Sequence, residues 1–160
     1  MKSRLVASLA LGTAVVLGAT GCNMIAPQAT TIEYSASDGR NVPESGPLKV
    51  RNAMVIANDD GTLGNLIAAV VNPTDEDLTL NVGLGADRQA LPVPARSTVS
   101  LGVSSAPMLF EDLGAQPGSD VEMSFQSGEG TGVEVAIPVL DGTLPHYTEF
   151  VPTPVATPAG

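Results

Sequence analysis

The chain has one cysteine, one histidine and no tryptophan in 160 residues. A lone cysteine, Cys22, closes no internal disulfide, so oxidation cannot staple the fold. A lone histidine, His146, leaves no imidazole pair for a zinc site and no two-His-one-Cys set for blue copper, and a Ser-His-Asp relay would need that single ring. Between Pro145 and Tyr147, His146 reads as a surface residue. The sequence holds no Gly-x-Ser-x-Gly elbow, no Gly-Lys-Ser/Thr phosphate loop and no His-Glu-x-x-His. Hydrolase, nucleotide-hydrolysing and metalloprotease readings lose their residues, and neither an enzyme nor a cofactor is expected. Positive charge is also scarce, with 7 Lys and Arg against 17 Asp and Glu for a formal charge of −10. Nucleic acid demands a cationic footprint and is excluded as a partner. Aromatics make up 3% of the chain. A core must then rest on Val, Leu, Ile and Met, which favours closely packed sheets over an aromatic-lined cleft.

What is present begins at the N-terminus. Lys2 and Arg4 precede an uncharged stretch over residues 5–18 rich in Leu, Val and Ala, the n-region and h-region of a secretory signal. The run is short for a hydrocarbon core that takes roughly 20 apolar residues to span. Ala19, Thr20 and Gly21 then put small side chains directly before Cys22, an order that resembles a lipobox. Residues 1–21 are therefore expected to be a signal peptide, with Ala19, Thr20 and Gly21 recognised by the lipoprotein signal peptidase and Cys22 becoming the lipidated N-terminus. The alternatives are an ordinary signal peptide with a cysteine at its boundary, or a buried free thiol. Cleavage would remove Lys2 and Arg4 and leave five basic residues against all seventeen acids. Attachment to the extracytoplasmic face of the cell membrane must then come from acyl chains, because so acidic a surface does not adhere to anionic lipid.

Residues 22–47 mix Ala, Thr, Ser, Pro and Gly around one strand candidate, Thr31-Ile32-Glu33-Tyr34, and read as a tether. The domain is expected over residues 48–144. Residues 48–57 alternate and then turn wholly apolar, as a strand entering a core does. Asn58-Asp59-Asp60-Gly61 is a turn signal, and residues 66–71 read as a central strand stopped by Asn72-Pro73. Leu78, Leu80, Val82 and Leu84 alternate with polar or small residues, as do Val99, Leu101 and Val103 after a break at Pro92-Val93-Pro94-Ala95. Val121, Met123 and Phe125 repeat the pattern, and Val133, Val135, Ile137 and Val139 close it. The expected fold is an all-β sandwich of about seven strands. Residues 145–160, with four prolines, read as an extended or disordered tail.

Asp59-Asp60 and Asp75-Glu76-Asp77 could offer oxygens to calcium, but neither has the alternating ligands and distal Glu of a calcium loop, so both read as solvated turns. Met54, Met108 and Met123 could present thioethers to Cu(I), though Met54 and Met123 fall inside apolar strand patterns and read as core filling. No metal site is expected.

Three segments carry a family likeness: residues 69–77, ending in Asn72-Pro73-Thr74-Asp75-Glu76-Asp77; residues 91–101, Leu91-Pro92-Val93-Pro94-Ala95-Arg96-Ser97-Thr98-Val99-Ser100-Leu101; and Gly132-Val133-Glu134-Val135-Ala136-Ile137-Pro138-Val139 with Pro145-His146 beyond. Over residues 48–140 the chain resembles the periplasmic copper chaperone (PCuAC-type) domain and, within it, the actinobacterial LpqE-like lipoproteins. The resemblance implies an immunoglobulin- or cupredoxin-like sandwich. Copper chaperones of this type carry a His and a Met in one loop and a His-x-Met in a later one. Pro107 and Leu109 stand at the later pair, and the earlier loop is reduced to residues 85–90 with neither ligand. The LpqE-like likeness implies a lipid-anchored accessory protein with a membrane-protein partner, the cytochrome bcc–aa3 respiratory supercomplex. The alternative it leaves is a copper-binding periplasmic chaperone with non-standard ligands.

Overall fold

The computed structural model describes residues 2–25 and 37–153 and divides into two units, residues 1–34 and 35–160. In the first unit a helix, α1 (Lys2–Ile25), carries Leu5, Val6, Leu9, Leu11 and Val15 exposed. Among the described residues no helix is long and apolar enough to cross a membrane.

The second unit is the expected all-β sandwich, built from eight strands: β1 (Lys49–Ala57), β2 (Gly64–Val71), β3 (Leu78–Leu84), β4 (Asp87–Val93), β5 (Thr98–Leu101), β6 (Met108–Phe110), β7 (Asp120–Ser127) and β8 (Val133–Leu140). One sheet runs β4-β3-β7-β8, and the other runs β1-β2 with β5 and β6 both against β2. β8 joins them. Its residues from Val133 to Pro138 pair antiparallel with β7, while Val139 and Leu140 pair parallel with Val55 and Ile56 of β1. Between the sheets lies one apolar core that includes Leu66, Leu80, Phe110, Met123, Phe125 and Ile137. Each such side chain, fully buried, contributes about 1.5–3 kcal/mol of transfer free energy.

Period-two alternation sets the register. In β8, Val135, Ile137 and Val139 are buried and Glu134 is exposed, and β3 and β7 alternate in the same sense. β1 is buried on both faces from Ala53 to Ala57 because a second, smaller cluster covers its far side. There Met54, Ile56 and Tyr147 pack with Ile67, Leu140, Phe150 and Val151.

Four expectations are corrected. First, eight strands stand in place of about seven, because Pro92 does not break the chain. It lies within β4, the terminal strand of its sheet, where a residue without an N–H costs no ladder bond on the open side. The other added strand, β6, spans three residues, too few to show a period. The strand candidate Thr31–Tyr34 lies outside the described residues. Second, Val103 does not continue the inward face of β5. Gly102, at φ +89°, turns the chain, and Val103 is 85% exposed. Third, the domain begins before Leu48. Arg40 and Ala53 exchange backbone hydrogen bonds at 2.8 Å, the Val42 N–H donates to the Val50 carbonyl, and Val42 and Ser45 are buried. Fourth, it continues past Leu144 through a 3-10 turn (Thr148–Phe150) that seals the second cluster, with Asn65 Nδ2 donating to the Phe150 carbonyl at 2.9 Å. Residues 154–160 of the expected tail lie outside the described residues.

Candidate functional site

Ala19, Thr20, Gly21 and Cys22 fall within the backbone of α1, and their side chains lie outside the described residues. Met54, Met108 and Met123 are buried at 2%, 8% and 1% exposure, Met54 in the second cluster and the other two in the main core. His146 is exposed, with its ring edge-on to Tyr147 at 4.2 Å between centroids. The structure therefore does not bring His146 and the three methionines into one site. Among the described residues no three His, Cys, Asp or Glu side chains are grouped to hold a metal ion.

The acidic turns divide into two kinds. Some tie their carboxylates to their own loop or to a neighbouring one. Asp60 Oδ1 accepts from the Thr62 hydroxyl at 2.6 Å and from its N–H at 3.1 Å, which holds the Asp60 carboxyl below the usual range. Asp75 grips Arg96 through two bonds of 2.7 and 2.8 Å, which lowers the carboxyl and raises the guanidinium, and Asp77 accepts from the Ala95 N–H at 2.8 Å. These two belong to the end of the sandwich where the first two family-like segments meet. Buried Asn72 joins those segments. Its Nδ2 donates to the carbonyls of Glu76, Val93 and Pro94, and its Oδ1 accepts from the Thr74 N–H and hydroxyl. The residues that carry the likeness there are a loop fastening.

Glu111 and Asp112, at the opposite end, form no such bonds among the described residues. With Asp87 they line a groove of about 720 Å³ between the β3–β4 turn and the strand β6, over half-buried Leu84 and Leu109. Gln89 spans it at one point, its Nε2 donating to the Leu109 carbonyl at 2.6 Å and lying 3.2 Å from Asp87 Oδ2. The far rim is held by the Leu113 N–H on the Thr62 carbonyl at 2.9 Å and the Ala115 N–H on the Gly61 carbonyl at 3.2 Å. The fold thus sets Leu109 beside the turn at residues 85–87, juxtaposing the positions that the resemblance gives to the two copper loops. Among the described residues no His, Cys or Met lines the groove. Its donors are carboxylates, an amide and a carbonyl, hard oxygens poorly matched to Cu(I). The sequence did not disclose this groove, because its two walls lie some twenty residues apart with no motif in either.

No protein-family model matches the chain. No curated protein matches it either. Solved structures do. The apo PCuAC domain from PmoF1 superposes with a TM-score of 0.51 at 18% identity, over 62% of this chain and 98% of that one. The copper-bound PCuAC domain from PmoF2 gives 0.50 at 19% identity, over 64% and 98%. At such identities the likeness is one of architecture, and it spans nearly the whole of each solved domain: this chain's sandwich shares the fold of PCuAC domains.

Proposed function

We propose that the chain is a lipid-anchored accessory protein of the extracytoplasmic face of the cell membrane, working by contact with a membrane-protein complex. Fold alone does not assign a function, so the donor set of the groove carries the reading. Where a PCuAC-type chaperone would present imidazole and thioether, Leu109 offers only its carbonyl and Pro107 offers no donor side chain, and Met54, Met108 and Met123 are buried in the apolar clusters. Residues 1–21 act as the signal peptide and Cys22 as the acylated N-terminus. The LpqE-like resemblance makes the cytochrome bcc–aa3 supercomplex the partner to look for first.

Copper carriage with non-standard ligands is the second reading, favoured by the likeness to a domain solved with copper bound. Two measurements separate them. Under the contact reading, Cu(I) titrated into the processed chain against a modest competitor gives no stoichiometric complex, and crosslinking on intact cells traps a membrane-protein partner. A one-to-one copper complex with no trapped partner reverses the order of the two readings.

A further inference from the structure

The groove deepens that reading and rests on it: we propose that it receives an extended, cationic segment of the partner protein. The feature is a gap between two sheet edges. Among the described residues β4 pairs only with β3, and β6 only with β2. The Leu109 carbonyl leaves the ladder and is met by the Gln89 side chain in place of a strand. Open edges of this kind accept an added strand through backbone bonds, with side chains selecting which one.

The lining selects sign and length. Leu84 and Leu109 give an apolar floor for the methylene stems of Lys or Arg, whose heads then reach the carboxylates of Asp87, Glu111 and Asp112. Nothing in the groove neutralises these carboxylates. Arg88, the adjacent cation, projects to the opposite face of the sheet, where it lies over Gly83 and donates to Ser124 Oγ at 2.6 Å. Glu111 and Asp112 have no hydrogen-bond or ion-pair partner among the described residues, whereas Asp60 and Asp141 are tied into their own turns and Asp75 and Asp77 to the facing loop at Ala95 and Arg96. The carboxylates do not converge as a metal cage would require. Charge spaced along a peptide fits them better than a single ion. Because the rim is already fastened to Gly61 and Thr62, a partner pays little to order it.

The test uses the processed chain in detergent and a fluorescent peptide of alternating lysine and valine, with a glutamate–valine peptide as the control. The lysine peptide should bind, the control should not, and raising salt from ~50 to ~200 mM should weaken the complex. Asp87→Asn, Glu111→Gln and Asp112→Asn together should weaken binding about tenfold, while Glu122→Gln with Glu134→Gln on the outer sheet face should change it by less than about twofold. Equal losses in both variants would reduce the effect to net charge and overturn the proposal, as would no binding at all. Calcium held tightly enough to displace the peptide would make the groove an ion site instead. On cells, the triple variant should lose the crosslinked partner. A partner kept by the triple variant but lost with Cys22→Ser would leave the contact reading standing and remove the groove from it.

Discussion

Buried Asn72 is 1% exposed and satisfies acceptors and donors from two segments, residues 74–76 and 93–94. Asn72→Ala would strand several of those groups at once, so a loss of about 2–4 kcal/mol is expected in urea denaturation. Asp75→Asn at the same end should leave the midpoint almost unchanged, since Asp75 and Arg96 are both exposed and water screens the pair. Equal effects would mean that the surface pair, not the buried amide, holds the loops. Tyr147 behaves differently because it titrates. Burial, and then its bond to Asp38 Oδ2 at 2.7 Å, push its phenol up to about 12 from an ordinary 10. A raised value means that the folded state favours the neutral form. The stabilisation is therefore complete below pH 10 and is lost as pH climbs from about 10 to 12. Tyr147→Phe should lower stability by about 1 kcal/mol at neutral pH, and the gap to the wild type should close across that alkaline window. A constant gap would show that the hydroxyl is not engaged.

At the scale of strands, alternation decides the outcome. Val135→Asp puts an unpaired charge on the inward face of β8 and should unfold the domain, whereas Glu134→Ala one position away should shift the melting temperature very little. Comparable losses for both would mean that the two faces of β8 are exchanged. This register was legible from sequence because β3, β7 and β8 each have one face to the core and one to solvent. β1 was legible only in part. Its apolar run from Ala53 to Ala57 announces burial on both faces but not what covers the second, which is a segment ninety residues on, Tyr147 to Val151. β4 was hidden by Pro92, whose ordinary meaning as a breaker fails on an outer strand. β6 was hidden by its length. The bulge in β1 was also unmarked. Asn52 sits there at φ +51° with its Oδ1 accepting from the Gly39 N–H, a conformation that Asn tolerates better than most residues. The groove follows from β4 and β6 and so shared their obscurity.

For the molecule as a whole the proposed function makes Cys22 the governing residue. Acyl burial adds about 0.8 kcal/mol per CH₂, and stable retention takes more than one chain. Cys22→Ser should therefore yield either an uncleaved precursor or protein shed to the medium, as fractionation and a carbonate wash would show. A variant still processed and retained after the wash would place the anchor elsewhere. The acidity of the chain, −10 before any processing, gives it no electrostatic hold on anionic lipid to fall back on. One further consequence lies in β8. Because it belongs to both sheets, the sandwich resembles a book bound along one spine, with β7 and β1 as its inner pages. The opposite margin, where β4 faces β6, is bridged by the Gln89 side chain on the Leu109 carbonyl. Breathing motions should then be smallest at the binding and widest at that margin, with amide protection falling from β8 outward. On that expectation the groove lies on the side that opens first, where an incoming strand would part the two sheets without disturbing the spine.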